Sequence, residues 1–155
     1  GNNFGAIELG FVFFGWGLTL ALSSVFLAPR LTQSFDLFPV LIAILSGFGI
    51  LLAALGFGAE NLIAVIALVI VAGVFIGVFN TVLTEAVMEA TDLPRGVASS
   101  TYSGLRFLGG AIAPAVSGPL AATYGAGVPY WFGAASLVLS LGILLTGKRH
   151  LGRIL

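Results

Sequence analysis

Five long apolar runs, separated by short polar breaks, make up almost the whole of this chain. They cover residues 9–29, 37–59, 61–88, 97–123 and 128–146. Each is near or above the ~20 residues a helix needs to cross a hydrocarbon core. The runs are about twice the length of a barrel strand and lack its strict alternation. The pattern therefore predicts an all-α membrane protein with five transmembrane helices in a single domain. Pro39 falls in the first turn of the second run, where its missing N–H costs little, and Asp36 or Ser34 is placed to cap that turn. The breaks, at 31–36, 60, 91–96 and 124–127, are short. Short connections force successive helices to be antiparallel neighbours.

Composition supports the membrane assignment. The chain is 59% hydrophobic and 8% charged, whereas soluble domains carry about a quarter charged residues. Net charge is zero and no basic patch for nucleic acid occurs. There is no cysteine, which excludes disulfides and thiolate metal sites. The one histidine, His150, lies beside Lys148 and Arg149, so no histidine cluster for a metal is predicted. Neither HExxH nor GxxxxGK[ST] is present, and the spans hold no histidine to activate a serine. We expect no cofactor, no metal and no enzyme activity. The start, Gly1-Asn2-Asn3, has neither an initiator methionine nor a basic leader. It reads as a cut inside a longer protein or as a processed end.

Charge then orients the bundle. Arg30, Arg95, Lys148, Arg149 and Arg153 flank helix ends on one side, and Arg106 lies nearer that side. The other side offers Glu8 and Glu60. The positive-inside rule makes the basic side cytoplasmic, with the amino end outside and the carboxyl tail inside. Tyr130 and Trp131 open the fifth run at the outer interface, where amphipathic rings are favoured.

The fourth run is the unusual one. Residues 95–119 read RGVASSTYSGLRFLGGAIAPAVSGP. Gly110, Pro114 and Gly118 recur every four residues and predict a smooth stripe for close helix packing. Pro114 and Pro119 predict a bend. Arg106 sits within the span, and an ionisable residue there costs about 2.5–3.5 kcal/mol on insertion scales. Glu85 is its candidate partner. It lies about 35 Å along the third run from Leu62, at the edge of a ~30 Å core. A gate pair and a static interfacial pair both fit, and Arg95 is an alternative partner for the glutamate. Asn80 and Thr84, and beside them Thr81 and Glu85, share faces of the third helix. With Gly73 and Gly77 they make a polar and small stripe that suits either a substrate path or a neighbouring helix. Trp16 is placed deep enough to stack on a lipophilic or cationic substrate. Phe13 and Phe14 read more simply as lipid-facing or packed.

The stretch LPRGVASSTYSGLRFLGGAIAPAVSG resembles the loop and eleventh helix of major facilitator superfamily (MFS) transporters, and most of all of the twelve-helix drug:proton antiporters. The opening GNNFGAIELGFVFFGWGLTLALSSVFLAPRL is similar to their outer loop and eighth helix. On that alignment the five helices correspond to helices eight to twelve, a partial carboxyl-terminal six-helix bundle. One place departs from the pattern. In PRLTQSFDLF, Leu31 matches the family's loop signature, but Gln33 and Ser34 stand where an acid and a base belong. No charge relay is assigned to that loop. The resemblance implies peripheral second and fifth helices, with the first, third and fourth facing a cavity or the other half. The polarity of Asn80, Thr81, Thr84, Glu85 and Arg106 falls on that side.

The resemblance further implies secondary active transport: proton-coupled efflux of lipophilic small molecules across a bacterial inner membrane, by alternating access. The partners would be membrane lipid, an unidentified lipophilic substrate, protons and the missing amino-terminal half of the same chain. Alone, this fragment would not transport. The alternative is a small non-transporting five-helix membrane subunit or scaffold. A small dual-topology exporter is disfavoured by the one-sided basic residues.

Overall fold

In a computed structural model, residues 5–150 are described. Residues 1–3 and Arg153 lie outside them, as do the side chains of Arg149 and His150. All regular structure among the described residues is helical. Five helices are long and apolar enough to cross a membrane: Ala6–Ser34, Leu37–Gly58, Leu62–Glu89, Arg95–Tyr124 and Val128–Thr146. The chain is an all-α integral membrane protein.

The first helix runs farther than the apolar pattern indicated. It passes through Pro29 to Ser34, leaving Phe35 and Asp36 as the connection where a loop over 31–36 was expected. A π-helical turn at Ser23–Leu27 makes this continuity possible, and the Ala28 N–H closes it on the Ser23 carbonyl. In an α-helix the Pro29 ring would press on the carbonyl of Val25, four residues back, and leave it without a donor. A wider turn just before the proline relieves that conflict. Asp36 occupies the cap position of the second helix but makes no side-chain capping bond. Asn61 does cap the third helix, its side-chain oxygen accepting from the N–H groups of Ile63 at 3.1 Å and Ala64 at 3.2 Å.

The third helix is the centre of the bundle, packing against the first, second and fourth helices. Its buried face includes Val78, Val82 and Ala86, which meet Phe38, Leu41 and Ile44 of the second helix. Val82 is wholly inaccessible, at 0% exposure. A second cluster joins Leu51 and Leu55 to Ala72. The fifth helix packs on the second. At one end, Trp131 meets Phe57 edge-on with ring centroids 4.5 Å apart. At the other, the Lys148 ammonium stands 5.5 Å from the centre of the Phe38 ring. The fifth helix therefore runs antiparallel to the second, bringing Lys148 to the end of the bundle that holds Arg30.

Close approach occurs between the first and third helices. A Cβ on Gly73 would strike the Trp16 carbonyl and the Thr19 hydroxyl, and one on Gly77 the Leu20 carbonyl and the Ser23 hydroxyl. Hydroxyls bind this seam. Thr19 Oγ1 donates to Ile70 O at 2.8 Å, and Ser24 Oγ donates to Gly77 O at 2.9 Å. Between membrane helices such packing and hydrogen bonding replace the hydrophobic drive, since lipid is as apolar as leucine.

The fourth helix is different. It continues unbroken through Pro114 and Pro119, and of its residues only Ala98 is buried. A Cβ on Gly110 or Gly118 would meet nothing within 4 Å, and Pro114 is exposed. Among the described residues, the small stripe of this helix has no packing partner. Among the described residues, glycines closely approached by another segment's backbone include Gly73, Gly77 and Gly127, the last against the Gly56 carbonyl.

Candidate functional site: a charged cleft between the third and fourth helices

The third helix ends in NTVLTEAVME, and after a five-residue connection the fourth begins with Arg95. Reversal of the chain here sets the last turns of one helix against the first turns of the next. Between them opens a cleft of about 520 Å³, lined by Asn80, Thr81, Thr84, Glu85, Met88, Glu89, Arg95 and Arg106. Spacing explains the membership. On the third helix, 81, 85 and 89 fall on one line of i,i+4 neighbours, and 80, 84 and 88 on the adjacent line. Glu85 to Glu89 is one turn, while Arg95 to Arg106 is about 17 Å of helix. The antiparallel run thus puts Arg95 near Glu89 at the rim. Arg106 lies deeper, toward Asn80, which is about 14 Å from Glu89.

The two carboxylates and two guanidiniums balance in formal charge. Among the described residues, these four groups form no ion pair within 4.0 Å. The side chains of Glu85 and Arg106 therefore line one cleft without closing on each other. Hydroxyls of the wall are turned onto their own helix: Thr84 Oγ1 donates to Asn80 O at 2.7 Å, and Thr81 Oγ1 to Gly77 O at 3.1 Å. Such an arrangement leaves two cations and two anions unpaired with one another along one opening. No group of three or more metal-ligating side chains occurs among the described residues.

Five predicted residues are brought together here: Asn80, Thr81, Thr84, Glu85 and Arg106. Trp16 is not among them. It is half-buried in the seam against Gly73, with Phe13 edge-on at 6.5 Å between ring centres. Phe13 and Phe14 are exposed on the outside of the first helix. Met88 and Glu89 were missed by the sequence reading, although Glu89 is one turn beyond Glu85 and was visible to the same spacing argument. The sequence marks Arg95 as a helix flank and an alternative partner for Glu85; in the structure it lines the cleft wall.

Over 146 residues the sequence is 38% identical to the multidrug efflux protein YfmO of Bacillus subtilis (strain 168). The chain is similar to part of an efflux protein. The match takes in 94% of this chain and 37% of that protein, so the chain spans little more than a third of the length of the curated relative it matches. No protein-family model matches the sequence, and no solved structure matches it significantly. The cleft and the hydroxyl seam lie within a chain that is aligned almost throughout.

Proposed function

We propose that this chain is the carboxyl-terminal portion of an MFS-type secondary transporter that exports lipophilic small molecules at the expense of a proton gradient. The observation that carries the reading is the 38% identity to a multidrug efflux protein across nearly the whole chain. The cleft is consistent with it, since a charged opening at one end of a membrane bundle suits a gate. In this reading the helices correspond to eight through twelve of the transporter. The basic end faces the cytoplasm of a bacterial cell, and the carboxyl tail is inside. The chain forms one wall of the transport path, works by rocking against the remainder of the protein, and performs no enzymatic chemistry.

Arg106 and Glu85 are the gate residues of this proposal. By helix rise Arg106 lies farther along the span than Arg95, so closure of the cleft around it calls for an opposite charge beside it. The test is dye efflux by the full-length protein that carries this segment, in a host stripped of its own efflux pumps, with and without collapse of the pH gradient. Energised efflux that stops on collapse, and that falls at least tenfold in Arg106→Ala at equal membrane abundance, is the expected result. Wild-type efflux in Arg106→Ala would remove the gating role. Efflux indifferent to the gradient would remove proton coupling.

A further inference from the structure

The π turn at Ser23–Leu27 and the cleft are joined by one side-chain contact. Ser24 Oγ lies 2.9 Å from Thr81 Oγ1 and donates to the Gly77 carbonyl. Thr81 also lines the charged cleft. Ser23, its neighbour in the same turn, is buried against Gly77 and donates to Leu20 O at 3.0 Å. The first helix is thus pinned to the third at the point where its own hydrogen-bond ladder changes register.

We propose that Ser23–Leu27 is a register switch, with Ser24 and Thr81 as the positioning residues that couple it to the charged cleft. A π turn carries one more residue than an α turn, so the two registers differ by the rotation of a single residue, about 100°. In the π register the lower part of the first helix, Ala28–Ser34, is held as the structure shows, and Ser24 grips Gly77 and Thr81. When the turn relaxes to α, Ala28–Ser34 rotates relative to the pinned upper part and Ser24 leaves the seam. Thr81 then keeps only its bond to Gly77 O, and the cleft wall loses its Ser24 contact with the first helix while the seam at Thr19 and Gly73 remains. Pro29 keeps the two registers close in energy. It denies Val25 an α-type donor, so the α register does not gain the full bond that an ordinary residue would supply. π turns are frequent at functional sites. The gating consequence rests on the transporter reading above; the register change itself does not.

The chain contains no cysteine, so spin labels can be placed at Leu18→Cys and Gln33→Cys in the full-length protein, with any cysteines elsewhere removed. These positions lie on the upper and lower parts of the first helix, and both are exposed. Pulsed spin–spin distances then report the register without any need for transport. Ser24→Ala and Pro29→Ala are each expected to raise the population of the second distance. For Ser24→Ala the factor is about threefold, what an average hydrogen bond between membrane helices supplies. Ser24→Thr keeps the hydroxyl and is expected to keep the parent distribution. One unchanged distance in folded Ser24→Ala and Pro29→Ala would overturn the switch. A shifted register with undiminished efflux would overturn its coupling to the cleft. A parent protein that fails to export while the distances respond would overturn the transporter reading alone.

Discussion

Gly77→Ala adds one methyl group and is expected to be among the more damaging small changes in this protein. The new carbon would collide with the Leu20 carbonyl and the Ser23 hydroxyl. Neither obstacle yields cheaply: one is backbone, and the other is a buried side chain already donating to Leu20 O. Overpacking of this kind costs about 1–3 kcal/mol. The substitution also improves helix propensity, by up to about 1 kcal/mol relative to glycine. Gly142→Ala supplies the correction, because its added carbon meets nothing within 4 Å in a helix of the same protein. The difference between the two variants cancels propensity and isolates the clash, so Gly77→Ala should fall below Gly142→Ala by about 1–3 kcal/mol. The assay is reversible unfolding of the purified protein in mixed micelles by titration with a denaturing detergent, read by fluorescence. Adding Ser23→Ala to Gly77→Ala should restore only part of the loss, because the Leu20 carbonyl remains. Equal stability of Gly77→Ala and Gly142→Ala would refute close packing of the first and third helices.

Other outcomes follow from the same geometry. Gly56→Ala should be much milder than Gly77→Ala, although its Cβ would lie 2.7 Å from the Trp131 indole nitrogen. Trp131 is 40% exposed and can swing away, and a red-shifted tryptophan emission in that variant would register the movement. Asn61→Ala removes the cap of the third helix and should cost about 1 kcal/mol, with faster amide exchange confined to Ile63 and Ala64. In the cleft, Glu89→Gln and Glu85→Gln should both reduce efflux if opposite charges hold the closed state. Glu85→Gln is expected to have the larger effect, because Glu89 lies nearer the rim; equal and wild-type rates in both would exclude the carboxylates from gating.

Some of this protein was written in one dimension. Whether a segment crosses a membrane depends on length and on the cost of burying polar groups, and both are sums over neighbouring residues. The five spans were therefore legible from the apolar runs, with ends displaced by a few residues. Concentration of polarity on the third and fourth helices was legible for the same reason, since i,i+4 spacing fixes which residues share a face. Reversal of the chain between Glu89 and Arg95 then makes the end of one helix and the start of the next neighbours from order alone.

What only the tertiary structure decided were choices among equivalent surfaces. Small or notched positions recur at intervals of four in both the third helix (Gly73, Gly77) and the fourth (Gly110, Pro114, Gly118), and nothing local says which stripe another backbone will approach. Packing of the first helix chose Gly73 and Gly77. Thr19, Ser23 and Ser24 read as ordinary hydroxyls that can bond to their own helix, and their reach to Ile70, Gly77 and Thr81 depends on how two distant segments are rotated. The continuation of the first helix through Pro29 was hidden for a related reason. Proline announces a broken ladder, but whether the chain answers with a loop or a π turn depends on what anchors the residues before it. Here the anchor is the third helix, more than fifty residues away in sequence. Span length is a property of a segment, whereas the seam, the register and the cleft wall are properties of pairs of segments.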